Sequence, residues 1–217
     1  MKNIKSFIKL TINVLFFISI FNSINAKSFD TSDKIGSYLS GIISFENNEY
    51  ANSFKYLNGL KDLEEHHLSY ARLYQHSLVN LERIEDAFKY GKKLERQKIY
   101  NFENNIIMGV YYLKNNQFDE AKKFFKRLDE MKNHSNLTGI LSKSLNNWVA
   151  FNDLNEKEAL KLIDKIPSKF ENIKKIQSAF TGCFYDSDKT DMFFQNLITD
   201  QTVDFSRYNY FYANYYL

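Results

Sequence analysis

Residues 106–128, IIMGVYYLKNNQFDEAKKFFKRL, decide the fold of this 217-residue chain. Apolar and small residues recur at helical spacing on both sides of a polar centre, and this pattern predicts two helices joined by a tight turn. Gly109 lies on the first predicted helix and Ala121 on the second, where their small side chains let the two backbones approach closely. The polar run 115–117 forms the turn, and the acidic pair after it favours the start of the second helix.

The spacing of these residues closely resembles that of a known repeat family. Met108-Gly109-x2-Tyr112, followed by Ala121-x3-Phe125, is similar to the signature of the tetratricopeptide repeat, a helix-turn-helix unit. The resemblance implies a binding scaffold built from stacked helix pairs, and it does not name the partner.

A constant interval between small residues supports this resemblance. Ala87 lies midway between Ser53 and Ala121, and Gly41 precedes Gly109 by twice the same interval. We call it the repeat interval, and it matches the length of the tetratricopeptide unit, about 34 residues. The middle unit departs from the family pattern at two positions, since Gln75 replaces the glycine and Gly91 replaces the aromatic residue. The register of the units is unaffected by these departures.

The repeats divide the chain into segments. A polar lead-in covers residues 27–32, three tetratricopeptide-like repeats cover 33–130, two degenerate helix pairs cover 131–200, and an unpaired terminal helix covers 201–217. The fourth pair contains four extra residues, because Ala159 lies four positions beyond the point one repeat interval after Ala121. Either the loop or a longer first helix must absorb this expansion. Asn155 and Glu158 have the spacing of a capping box. The predicted fold is all-α, a right-handed α-solenoid of stacked helix-turn-helix pairs.

The N-terminal segment has the pattern of a secretory signal. Lys2, Lys5 and Lys9 precede an apolar stretch at 10–21, and small residues end at Ala26, so cleavage is expected after Ala26. The apolar stretch is shorter than the roughly 20 residues that span a bilayer, which argues against a retained anchor. We therefore expect an exported bacterial protein, periplasmic or secreted, with no stable membrane insertion of the mature chain.

Charge argues against nucleic acid as a partner. The whole chain has 29 basic and 26 acidic residues, and its three signal lysines account for the excess. The mature chain is formally neutral, whereas nucleic-acid binding needs a concentrated positive field.

Motifs for catalysis, cofactors and metals are missing from the sequence. It has no phosphate-binding glycine loop, zinc-binding cysteine pair or nucleophile elbow. His66 and His67 are adjacent but lack a further ligand pair at helical spacing, and they are expected in a surface turn. Cys183, the single cysteine, has aromatic neighbours and no basic residue beside it, which favours a buried thiol. We expect a non-enzymatic protein without cofactor or metal.

The resemblance also implies where a partner binds. In tetratricopeptide arrays the first helices of the pairs line a concave groove that takes a peptide or a partner helix. Carried over to this chain, the groove positions are Tyr38, Ile42, Phe45, Arg72, His76, Ile106, Val110 and Leu113. The alternative is that these side chains pack against neighbouring helices, where a shift of one or two positions in the register of a helix would place them.

The last segment suggests a second kind of contact. Its aromatic residues are unusual for a terminal repeat, which normally has a polar outer face. A truncated chain, a helix that docks on another subunit, and a helix that folds back as its own cap are three explanations, and we favour truncation with self-association as its consequence. The expected contact residues are Tyr208, Phe211, Tyr212 and Tyr215.

Three functions follow from these observations. The first is a protein-interaction scaffold in the cell envelope that binds a peptide or partner helix in the groove. The second is a structural or assembly subunit, or a fragment of a longer array, that contacts its partner through the C-terminal end. A carrier of a small ligand in the groove is the third, and no specific residue supports it.

Overall fold

The structure is a computed structural model that describes residues 28–60, 63–131, 136–200 and 203–217. All regular structure in these residues is helical and forms eleven α-helices. They are α1 (Ser28–Glu46), α2 (Tyr50–Asn58), α3 (Leu68–Asn80), α4 (Ile84–Arg96), α5 (Phe102–Lys114), α6 (Phe118–Glu130), α7 (Asn136–Ala150), α8 (Glu156–Asp164), α9 (Glu171–Tyr185), α10 (Thr190–Ile198) and α11 (Tyr208–Tyr215). Short 3-10 helices cover Leu63–Glu65, Phe151–Asp153 and Ser168–Phe170.

The described residues form two compact units, one within Met1–Asn101 and the other within Phe102–Leu217. The predicted signal peptide lies outside the described residues. The predicted lead-in differs from the structure, because α1 begins at Ser28 and not at Asp33. Serine and threonine carry only a modest helix penalty, so helical backbone continues through this polar segment.

Helices pack in neighbouring pairs, and small residues allow this packing. In the first unit a Cβ on Gly41 would lie 2.7 Å from Leu57 Cδ2, and in the second unit a Cβ on Gly109 would lie 2.2 Å from Phe125 Cε1. The small residues that define the repeat interval are all fully buried: Ser53, Ala87 and Ala121. The prediction that small residues permit close packing within the pairs is therefore confirmed.

The turns inside the first three pairs repeat the same backbone geometry. Each has one residue with a left-handed backbone, φ 60°, 58° and 57°, and these residues follow one another at the repeat interval: Asn48, Glu82 and Asn116. The following residue in each turn donates its N–H to the carbonyl five positions earlier, at 2.8, 2.9 and 2.9 Å. This is the Schellman ending of a helix, which satisfies carbonyls that the helix leaves free. The repeat interval is thus present in the backbone as well as in the sequence.

The two departures in the middle pair compensate for each other. Gln75 takes the position of the glycine and is fully buried, and Gly91 takes the position of the large residue. The Gln75 amide donates to the Ala87 carbonyl at 3.3 Å, so its side chain lies against the turn of α4 that leads to Gly91. A large side chain on α3 therefore replaces the large side chain on α4. The exchange of sizes keeps the space between the helices filled.

The first unit also contains a buried ion pair. The Glu64 carboxylate is fully buried and pairs with the Lys93 ammonium, whose side chain is one-third exposed. Removing one partner of such a pair leaves a charge without compensation in an apolar environment, which is strongly destabilising. This contact fixes α4 to the segment that precedes α3.

In the second unit the fourth pair absorbs the expansion in two places. Helix α7 has 15 residues where α5 has 13, and five residues separate α7 from α8 where three separate α5 from α6. The Asn155 side chain accepts the N–H of Glu158 at 3.0 Å, and the Glu158 carboxylate accepts the N–H of Asn155 at 3.2 Å. The predicted capping box is confirmed.

The fifth pair is more repeat-like than the sequence indicates. Thr190, Phe194 and Leu197 are buried on α10 at the spacing that Ala121, Phe125 and Leu128 have on α6. Asp186 has a left-handed backbone, as in the turns of the first three pairs. Polar Thr190 in place of alanine hides this similarity.

Helix α11 packs against the fifth pair. Phe205 and Tyr208 are buried in one cluster with Ala179, Phe194 and Leu197, and Tyr212 packs against it. The segment predicted to be an unpaired helix therefore has an intramolecular partner. Burying its aromatic rings removes a large apolar area from water, which drives the packing.

Candidate functional site

The groove residues predicted for the first unit share one surface. The Tyr38 ring lies 4.8 Å from the His67 ring, and the Phe45 ring lies 4.9 Å from the His76 ring. Tyr38 and Phe45 are on α1, and both histidines belong to or cap α3. Tyr38, in the earlier part of α1, contacts the residue that caps the start of α3, and Phe45, near the end of α1, contacts a later turn of α3. The two helices therefore run parallel, side by side.

This α1–α3 surface has an apolar floor with a polar rim. Tyr38, Ile42 and Phe45 are half-buried, and they pack on the core cluster around Leu57 and Tyr70. Burial raises the pKa of Tyr38 above its usual value, and nearby Arg72 opposes the shift. Arg72 and His76 are exposed. Tyr38, Ile42 and Phe45 therefore pack against the core and also keep part of their surface exposed, and their role in binding a partner stays a prediction.

The predicted groove residues of the second unit divide differently. Ile106 and Leu113 pack against the core cluster around Ala121 and Phe125. Val110 is 42% exposed. Ile106 and Leu113 therefore pack on neighbouring helices, and Val110 is the most exposed of the three residues.

The structure contains an apolar groove that is lined by none of the binding residues predicted from the sequence. It lies in the second unit between α7 and α9, the first helices of the fourth and fifth pairs, and has a volume of about 380 Å³. Its lining comprises Ile140, Leu141, Ser144, Leu145, Trp148, Ile173, Ile176, Gln177 and Phe180. We call it the α7–α9 groove.

The helices that form this groove also run parallel. Trp148, in the last turn of α7, and Phe151, directly after α7, contact Phe184 near the end of α9, with ring centroids 6.4 Å apart in both cases. The Tyr185 hydroxyl donates to the Phe151 carbonyl at 2.7 Å. The first helices of consecutive pairs therefore lie side by side here as α1 and α3 do in the first unit.

The register of the repeat contained a signal for this groove. Ile140 and Ser144 follow Ile106 and Val110 by one repeat interval, and all four are at the same turns of a first helix. The four-position expansion lies after these residues, so the interval still holds along the first part of α7. If the groove positions predicted for the third repeat are moved forward by one repeat interval, they fall on two residues that line this groove.

Two polar groups in the α7–α9 groove are almost completely buried. Gln177 is 5% exposed and Ser144 is 6% exposed. Gln177 Oε1 and Ser144 Oγ have no hydrogen-bond partner among the described residues. A buried polar atom without a partner costs free energy, so each is a position where a bound molecule gains a hydrogen bond.

The predicted C-terminal contact residues have mostly intramolecular contacts. Tyr208 is buried in the core cluster of the fifth pair. The Tyr212 hydroxyl donates to Asp191 at 2.9 Å, and the Tyr215 hydroxyl donates to Asp186 at 2.5 Å. Phe211 remains 46% exposed. Of the four, Phe211 is the residue most available to another molecule.

Cys183 lies on α9 and is half-buried. Burial raises the pKa of its thiol above the usual value, which lowers the fraction of nucleophilic thiolate at neutral pH. In the described part of the chain, no group of three His, Cys, Asp or Glu side chains is arranged to hold a metal ion.

Within residues 28–60, 63–131, 136–200 and 203–217, none of the helices combines the length and apolar character needed to cross a membrane. Comparison with protein-family models, with curated proteins and with solved structures gives no match to this chain.

Proposed function

We propose that this protein is an exported, non-enzymatic scaffold of tetratricopeptide-like repeats that binds a peptide or a partner helix along the first helices of its pairs. The helix pairs, their shared turn geometry and the constant repeat interval support the repeat assignment. A solenoid of such pairs presents its first helices on one face, and side chains on that face contact the partner.

The α1–α3 surface is the observation that carries this proposal. Tyr38, Ile42 and Phe45 form an apolar strip, and Arg72 and His76 lie beside it on the neighbouring helix. An amphipathic segment with apolar anchors and an acidic residue complements this arrangement, because the anchors cover the strip and the carboxylate pairs with Arg72.

The cell envelope is the proposed location. The proposal rests on the sequence pattern of positions 1–26, with cleavage after Ala26. The mature protein is then periplasmic or secreted, and its partner is another envelope or extracellular protein.

Site-specific photo-crosslinking in the native cell tests the proposal. A photoreactive phenylalanine replaces His76 on the α1–α3 surface in one strain and Glu85, exposed on the second helix α4, in the other. We expect a discrete protein adduct at position 76 and none at position 85. Equal adducts at both positions, or none at position 76, contradict the proposal.

Charge reversal supplies a matched control. Arg72→Glu on α3 is expected to reduce the adduct yield at position 76 several-fold, since it repels the acidic residue of the partner. Arg96→Glu, a change at another exposed arginine on α4, is expected to leave the yield unchanged. A similar loss in both variants would indicate a general effect of net charge and would contradict a specific role of Arg72.

An assembly subunit is the second candidate, supported by the outer face of α11. Phe211 is 46% exposed and Tyr210 is 69% exposed. If these rings mediate self-association, light scattering after size exclusion should show a mass that rises with concentration, and Phe211→Glu should abolish the rise. A monomer at every concentration contradicts this candidate.

A further inference from the structure

The α7–α9 groove has the composition of a site for one kind of side chain. We infer that it takes an aromatic side chain of a partner peptide whose edge carries an uncharged hydrogen-bond donor, the phenol of tyrosine or the indole of tryptophan. This inference rests on the proposed function, because it takes the partner to be a protein, and it extends that function to a second site with a defined chemistry.

The walls of the groove favour a ring. Trp148 and Phe180 supply aromatic surface, and Ile140 and Ile176 supply aliphatic surface. Aromatic rings gain from both, through the area that they bury and through edge-to-face contacts with other rings. A volume of about 380 Å³ lies within the range of ligand sites and accommodates one or two large side chains.

The buried polar atoms require a donor on the ligand. Gln177 Oε1 accepts hydrogen bonds and cannot donate, and the Ser144 hydroxyl both accepts and donates. A phenol or indole that enters the groove satisfies one of these atoms, whereas a phenylalanine ring leaves both without a partner. The groove should therefore prefer tyrosine over phenylalanine by about ten-fold, the effect of one buried hydrogen bond.

The lack of charged residues in the groove argues against a ligand whose hydrogen-bond donor carries a charge. None of the residues that line the groove is acidic or basic. An ammonium or guanidinium group would lose its hydration there without meeting a carboxylate, which is unfavourable. Neutral donors on an apolar body are the remaining class, and among protein side chains tyrosine and tryptophan fit this description.

Fluorescence of Trp148 provides the assay, because it is the only tryptophan in the chain and lines the groove. The probes are N-acetyl-tyrosine amide and N-acetyl-phenylalanine amide, titrated into the full protein with excitation where tyrosine does not absorb. We expect saturable changes with both probes and an affinity about ten-fold higher for the tyrosine probe.

Variants identify the acceptor. Gln177→Leu is expected to bind both probes equally, because the apolar walls remain and the acceptor is lost. Gln195→Leu, an exposed change on α10, should retain the ten-fold preference. If Gln177→Leu does not fold, Gln177→Met removes the same acceptor and should likewise bind both probes equally, whereas Ser144→Ala should retain the preference of about ten-fold.

Three results overturn the inference. They are equal affinity of the protein for both probes, no saturable response to either probe, and a response to free p-cresol without one to the tyrosine probe. The last result would indicate a site for small phenols. Because the titration needs no partner protein, its failure is distinct from failure of crosslinking at position 76, which tests the proposed function itself.

Discussion

Replacing Gly109 by alanine tests whether close packing of α5 on α6 depends on the missing side chain. An alanine inside a helix is normally more favourable than glycine by about 0.8–1 kcal/mol. Here the new Cβ would lie 2.2, 2.6 and 2.8 Å from three atoms of the Phe125 ring. That ring is fully buried and cannot move aside freely.

The expected cost comes from overpacking. Inserting a methyl group into a filled core costs typically about 1–3 kcal/mol. Three contacts below 3.0 Å place Gly109→Ala in the upper part of that range. After subtraction of the helix preference, the free energy of unfolding should fall by about 1–2 kcal/mol.

Gly139→Ala is the matched control in the same unit. Among the described residues, and apart from its chain neighbours and the backbone of its own helix, no atom lies within 4 Å of a Cβ at this position on α7, so only the helix preference applies. We expect its free energy of unfolding to rise by about 0.8–1 kcal/mol. The same substitution should therefore act with opposite sign at the two glycines.

Urea unfolding followed by far-UV circular dichroism and Trp148 fluorescence measures both effects, and Trp148 reports the unit that contains both glycines. Phe125→Leu should itself be destabilising, since the ring is fully buried, but the double variant should lose less than the sum of the two single changes, because the smaller side chain leaves room for the methyl group. If Gly109→Ala stabilises the protein as much as Gly139→Ala does, the close contact with Phe125 does not limit the packing and the reasoning is refuted.

Three further predictions concern a turn, a helix cap and the thiol. Glu82 has φ 58°, so Glu82→Asn should raise the free energy of unfolding by about 0.5–1 kcal/mol in urea titrations, and no change would show that the turn is unstrained. Asn155→Ala should lower it by about 1 kcal/mol through loss of the capping box, whereas Asn152→Ala should have little effect. Burial raises the pKa of the Cys183 thiol, so iodoacetamide should modify the native thiol at pH 8 more slowly than the thiol of the unfolded chain, and the difference in rate should narrow as the pH rises through the native pKa; equal rates at pH 8 contradict this.

Local patterns made the helix pairs predictable. Gly109 and Phe125 lie on consecutive helices with a short turn between them, and that turn is set by residues next to one another. Such contacts appear as fixed spacings in the sequence, and their recurrence at the repeat interval identifies the unit. The capping box at Asn155 was predictable for the same reason, since both partners lie within one helical turn.

Changes that compensate across two helices were harder to interpret. Gln75 and Gly91 each look like a defect when compared with the family pattern. Their exchange of size is evident only when the two helices are placed face to face. The resemblance of the fifth pair to the repeat was not evident from the sequence for a similar reason. Thr190 takes the position of the small residue, and its side chain is buried although threonine is polar.

The sequence by itself determined the all-helical pairs, their constant interval and their turns, because these depend on spacing and backbone preference within about 20 residues. Only the tertiary structure decided how α11 packs, how Lys93 pairs with Glu64, and which polar groups line the α7–α9 groove. Each of these depends on side chains from separate helices that meet in space. Burial of Gln177 and Ser144 is a property of two helices together, so neither helix alone predicts the groove.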